Sequence, residues 1–213
     1  MMYFSHMKLL PAIALVLLCS CTGEGEQQKP ITTNTPKKDT ALPTTEGPAN
    51  PYTPVDRSPM DIVYFPVDFP IRKMAEKDAQ LVARVIYSRP HRQGRTIFGS
   101  LLKWGEPWRL GANEATEIEL FRPVTIQNRR VPKGRYILYC IPYPDRWTVV
   151  FNSNTFSWGL KPDTRLDVFR FDIPSAKSAA NAEYFTMQFF DAPGGGTLLM
   201  AWDEVSAQLH FTL

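Results

Sequence analysis

Short runs of β-branched and aromatic residues, each stopped by a proline, glycine or asparagine cluster, fill this chain from residue 79 to residue 212. The turn signals recur at roughly 8–12-residue spacing, which is the rhythm of consecutive antiparallel strands. Strand-like runs fall at 79–88, 117–121, 124–126, 135–141, 147–151, 166–173, 184–190, 198–202 and 205–212, while 96–102 leads into a Trp-rich stretch. Residues 129–134 read as a turn with Lys133-Gly134 at its tip, and Asp191-Ala192-Pro193-Gly194-Gly195-Gly196 as another. Residues 174–181 are small and polar and suit one short helix, while Pro66 and Pro70 limit 61–74 to an edge strand or an extended strap. Beyond the first 20 residues no long amphipathic helix is written anywhere. The expectation is therefore an all-β domain over 61–213, an antiparallel β-sandwich of jelly-roll-like form with about 8–10 strands.

The N-terminus reads as a targeting signal over residues 1–20. Lys8 supplies the positive region and Leu9 to Leu18 the apolar run, too short to stay as a membrane span. Leu18-Cys19-Ser20-Cys21 resembles a bacterial lipobox, in which Cys21 is acylated and becomes the mature N-terminus. Acyl chains on Cys21 anchor the protein to a membrane, each buried methylene contributing about 0.8 kcal/mol. The expected location is the bacterial cell envelope, most naturally the outer membrane. Residues 21–60 are rich in Pro, Thr, Gly and Glu and poor in large apolar side chains, the composition of a disordered tether. Once Cys19 leaves and Cys21 is acylated, only Cys140 remains; it lies in an apolar strand and suits a core thiol rather than a disulfide.

One stretch does not follow the strand pattern. Trp104-Gly105-Glu106-Pro107-Trp108-Arg109-Leu110-Gly111-Ala112-Asn113-Glu114-Ala115-Thr116-Glu117 packs two tryptophans and several polar groups together with no clean period. It reads as a shaped loop, the kind of segment that carries sites. It equally suits a brace in which Glu114 pairs with Arg109, Arg89 or Arg95.

Several motifs together identify a resemblance. Tyr87-Ser88-Arg89-Pro90, Gly94-Arg95-Thr96-Ile97-Phe98-Gly99, Trp108-Arg109-Leu110-Gly111-Ala112-Asn113-Glu114-Ala115-Thr116, Pro132-Lys133-Gly134-Arg135-Tyr136 and Trp147-Thr148-Val149-Val150-Phe151-Asn152 look like those of the DUF2911 family. The resemblance covers roughly residues 80–213. Its members are mostly secreted or lipid-anchored proteins of Bacteroidota and relatives, so it implies a compartment and domain limits and no chemistry. Tyr136-Ile137-Leu138-Tyr139 departs from the family's usual Tyr-Ser-Leu-Phe style of strand and keeps the β pattern.

Three functions remain open. The first is binding of a glycan or protein ligand in a pocket lined by Arg89, Arg95, Trp104, Trp108, Arg109, Asn113, Glu114 and Trp158, where aromatic and polar side chains converge. The second is a hydrolase acting on a glycan, with Glu114 as acid or base. The third is a structural envelope component with no ligand. His91 and His210 lack metal-ligand spacing, so no metal and no cofactor are expected, and nucleic acid is not an expected partner outside the cell. The basic residues Arg89, His91, Arg92 and Arg95, and Arg129, Arg130, Lys133 and Arg135, read as solvated turns or anion-attracting patches.

Overall fold

Alternating burial along short strands builds one sheet. The computed structural model describes residues 56–213; the signal, Cys21 and nearly all of the tether lie outside the described residues. In chain order the elements are β1 (Met60–Phe65), α1 (Phe69–Ala75), β2 (Ala83–Ser88), β3 (Thr116–Leu120), β4 (Val124–Ile126) and β5 (Arg129–Val131). They continue with β6 (Gly134–Pro142), β7 (Arg146–Asn152), a 3-10 turn at Thr164–Leu166, β8 (Asp167–Ala192) and β9 (Gly195–Thr212). The strand order is β1-β2-β3-β6-β7-β8-β9-β4-β5, with every pairing antiparallel and the two ends unjoined.

Where the sequence predicts a sandwich, hydrogen bonding joins all nine strands into a single open sheet. The reason is β8. Its 26 residues would reach about 85 Å if straight, whereas a domain of this size is roughly 40 Å across. The strand has to bend. It pairs with β7 from Asp167 to Pro174 and with β9 from Ser175 onwards, with register shifts between Lys177 and Ala182 and between Ala182 and Thr186. The bend brings β1 and β2, at one end of the sheet, against β8 and β9 over one apolar core. Phe65 of β1 lies 5.0 Å from Phe211 and 5.8 Å from Phe189, ring centre to ring centre, and Tyr87 of β2 meets Phe185 edge-on at 5.6 Å.

Three local expectations need correction. Residues 174–181 are strand, not helix, because Ser175, Ala176 and Lys177 pair with Ala207, Ser206 and Val205. The tip of the β4–β5 hairpin is Gln127-Asn128, not Lys133-Gly134. Both take positive φ (47° and 63°), the two-residue turn that matches strand twist. Finally, α1 follows β1 where an extended strap is expected. Pro70 occupies its first turn, where the missing N–H costs nothing, so the proline that argues against a strand is compatible with a helix start.

The β8–β9 turn is closely fitted. A Cβ on Gly195 would overlap the Phe211 carbonyl oxygen, whereas one on Gly194 would meet nothing within 4 Å. Gly195→Ala is expected to lower stability by several kcal/mol through forced backbone displacement. Gly194→Ala, which faces only the cost of its positive φ, is expected to lose about 1–2 kcal/mol. Urea midpoints of the two variants check the order.

Candidate functional site

The irregular stretch at 104–117 is bound into the sheet by its backbone. Trp108 N donates to Cys140 O at 2.7 Å, Trp108 O accepts from Cys140 N at 2.8 Å, and Gly105 N donates to Pro142 O at 2.9 Å. The segment thus runs beside β6 beyond the point where β3 ends. The Trp108 side chain points inward and is 6% exposed. It stacks on Trp202 at 5.7 Å and meets Trp147, Phe185 and Phe98 edge-on at 5.8, 4.8 and 6.2 Å. Its indole N–H closes the next turn by donating to Gly111 O at 3.2 Å. Thr116 Oγ1 donates to Leu110 O at 2.6 Å and holds Leu110, fully buried, at a φ of 54°. These contacts make the stretch a brace between loop and core.

The eight candidate side chains do not converge on one pocket. Arg109, Asn113 and Trp158 lie at one end of the fold with Glu114, around a surface rather than a cavity. Arg109 Nη1 donates to Asn113 O at 2.6 Å, and Asn113 Nδ2 donates to Asp56 Oδ2 at 2.9 Å. Burial draws the Arg109 guanidinium below its usual range, partly opposed by the Glu114 carboxylate. Glu114 and Trp158 are exposed. Trp104 stacks on Phe98 at 6.0 Å with its outer face open. Arg95 is exposed and bonds to the Arg92 and His91 carbonyls of its own turn at 2.8 and 2.6 Å.

Arg89 is placed differently. It lines an open cleft of about 260 Å³ between β1 and β8, with Asp61, Tyr64, Tyr87, Thr186 and Gln188 among the other walls. All three of its side-chain polar contacts are long. They run to Asp61 Oδ2, Phe185 O and Thr186 Oγ1 at 3.3–3.4 Å, with the Tyr184 ring centre at 6.0 Å. A second void, about 10 Å³ and lined wholly by apolar side chains such as Leu120, Phe151 and Leu209, lies inside the core and is too small and too dry to take a ligand.

The cleft is a gap between two strand edges, which sequence could not reveal because β1 and β8 are more than a hundred residues apart. β1 is the last strand and pairs with β2 alone. Pro59 O accepts from Arg89 N at 3.0 Å and Phe65 O from Val82 N at 2.9 Å. Main-chain groups of the odd residues therefore face β2, and those of Ile62 and Tyr64 face the cleft. Across it, β8 has left β7, so at 186–189 no strand pairs with it on that side. Tyr87 staples the two lips from below. Its hydroxyl accepts from Met187 N at 2.9 Å and lies 3.2 Å from both Met187 O and Asp61 Oδ2. Burial, chiefly, pushes the Tyr87 hydroxyl up to about 12.

Other chemistry-bearing residues are engaged elsewhere. Glu119 pairs with Arg84 at 2.7 Å and Glu117 with Arg135 at 3.5 Å. His91 lies 2.8 Å from Glu183 and stacks on Tyr184, and His210 Nδ1 lies 2.6 Å from Thr197 Oγ1. Ser88 Oγ sits on Met60 Sδ at 3.1 Å. Burial holds the Cys140 thiol far above its usual range, hence protonated and unreactive. Among the described residues no group of three His, Cys, Asp or Glu side chains is placed to hold a metal.

A family model described as a protein of unknown function (DUF2911) matches residues 70–211. No curated protein and no solved structure matches the chain. The matched span begins within α1, so it contains β8 and Arg89 and leaves out β1, the other wall of the cleft.

Two predictions separate brace from cleft. Trp108→Ala is expected to cost about 3–5 kcal/mol, and Trp104→Ala under about 1 kcal/mol, in denaturant titrations. Tyr87→Phe leaves the Met187 amide and carbonyl without the hydroxyl and is expected to cost about 1–3 kcal/mol at neutral pH. The pH dependence has a defined sign. A tyrosine raised to about 12 in the fold, against about 10 unfolded, contributes stability that is intact below pH ~10 and lost as pH climbs towards 12. Tyr139, raised by burial and then by Asp167, acts in the same direction. The urea midpoint of Tyr87→Phe should therefore fall less steeply than wild type through that window, without becoming flat.

Proposed function

We propose, for a chain that belongs to the DUF2911 family, the role of a lipid-anchored envelope protein that binds a protein ligand as an extended strand in the cleft between β1 and β8. The observation that carries this reading is a pair of strand edges, neither paired with another strand, that face one another across about 260 Å³. Main-chain edges recognise another backbone, and the side chains between them select its sequence. Ile62 and Val67, both about two-fifths exposed, give the cleft an apolar rim, and Arg89, Thr186 and Gln188 give it polar contacts. The long bonds around Arg89 suit a guanidinium that can be recruited by an incoming carboxylate or carbonyl.

Of the two ligand classes the sequence suggests, the cleft favours protein over glycan. Sugar rings stack on open indoles, and the two open indoles, Trp104 and Trp158, line neither cavity. Glu114 also lies outside both, which favours binding over glycan hydrolysis. Leu18-Cys19-Ser20-Cys21 supports the anchor and the envelope location. The fold that goes with this reading is a two-layered β-sandwich, in which the β1–β2 face packs over β8 and β9.

The test is a displayed random-peptide library panned against the full chain, beside a glycan array. Enriched peptides should lose binding to Arg89→Ala and to Tyr64→Pro. The latter removes an N–H that faces the cleft, and an edge strand tolerates it. Thermal melts confirm that both variants are folded. Glycan hits with no peptide enrichment, or peptides that bind both variants as well as the parent, would sink the proposal.

A further inference from the structure

Loop 153–163, between β7 and the 3-10 turn, holds three large apolar side chains in solvent. Phe156 is 98% exposed, Trp158 61% and Leu160 64%. The base of the loop is pinned. Asn154 N donates to Asn152 Oδ1 at 2.8 Å, Asn152 Nδ2 to Asp163 O at 2.9 Å, and Ser153 N to Leu166 O at 2.9 Å. Gly159, at a φ of 84°, presses so closely on the brace that a Cβ there would lie 3.0 Å from Ala115 Cβ and 3.1 Å from Arg109 Cβ. The tip is thus held outward by a fixed base. Single exposed apolar residues are ordinary on a protein surface, but three within five residues of one loop mark a contact surface.

We infer that this loop docks the domain on a lipid bilayer, with Phe156, Trp158 and Leu160 entering the boundary between headgroups and acyl chains. The shape selects lipid over protein. An almost wholly exposed phenylalanine is a protrusion, which a protein partner must match with a pocket and a fluid interface accommodates without one. The composition agrees, since tryptophan and phenylalanine beside a lysine, here Lys161, are the residues that settle at headgroup depth. Position agrees too. Asp56 bonds to Asn113, Asn113 to Arg109, and Arg109 abuts Gly159, so the chain enters the domain at the end that carries the loop. An acyl group on Cys21 and this loop would then act at the same surface. Arg165 and Asp163 neutralise each other at 2.7 Å, so docking runs on apolar burial more than on charge.

The experiment uses the full chain carrying Cys21→Ser, which cannot be acylated, with sucrose-loaded vesicles of phosphatidylethanolamine and phosphatidylglycerol. The protein should co-sediment, and lipids brominated on the upper acyl chain should quench Trp158 fluorescence. Adding Phe156→Ser and Leu160→Ser should weaken partitioning by about tenfold or more, with an unchanged melting temperature because both side chains are exposed. Raising salt to about 0.5 M should leave binding in place. No co-sedimentation, equal binding by the Ser variant, or loss of binding in salt would each overturn the inference. The cleft is untouched by these substitutions, so Arg89→Ala should bind vesicles normally and peptide binding stands or falls separately.

Discussion

The fold depends on the placement of one indole. Trp108 is delivered by a loop, yet it occupies the middle of the core, in contact with Phe98, Trp147, Phe185 and Trp202. Those partners come from a loop and from β7, β8 and β9, three neighbouring strands, so a single side chain fastens the loop to the part of the sheet that bends. The polar residues around it follow from that requirement. Past Trp108 the backbone turns away from β6, and Thr116, Arg109 and the Trp108 indole N–H supply the partners that strand pairing no longer gives. Buried backbone groups left unpaired would cost as much as the indole's burial contributes.

β8 plays the complementary part. A sheet of short strands could lie flat with both faces wet. A strand long enough to serve two neighbours in succession forces the sheet over on itself, and Phe65, Phe189 and Phe211 meet because of it. The same bend leaves β8 paired with β9 alone at 186–189, with no strand on its other side, and so opens the cleft. The core and the cleft have one cause.

Much of this was legible in the sequence, and the exceptions have physical reasons. Strands β2 and β3 announce themselves because one face is buried and alternation survives, and β6 and β7 because each carries a continuous buried apolar run. Continuity of β8 is hidden because Ser175 to Asn181 are small, mostly exposed and carry no hydrophobic period. The Gln127-Asn128 turn is hidden because neither residue is glycine. The stretch around Trp108 was legible as exceptional, but composition cannot tell a tryptophan that points at a ligand from one that points at the core. Arg89 alone among the candidates lines the cleft, and nothing in its neighbourhood of sequence names Asp61 or Thr186 as its neighbours in space.

β1 is the first strand the chain enters and the last strand of the sheet, and no member of the Trp108 cluster lies on it. If the chain is held by its N-terminus, a pull on the domain reaches the Asp56–Asn113 contact first and then the β1–β2 ladder and the Asp61 contacts to Tyr87 and Arg89. These act as a mechanical fuse. Tension would strip β1 and expose the edge of β2 while the aromatic core stays assembled, and β1 would have its register with β2 to return to once the load is gone.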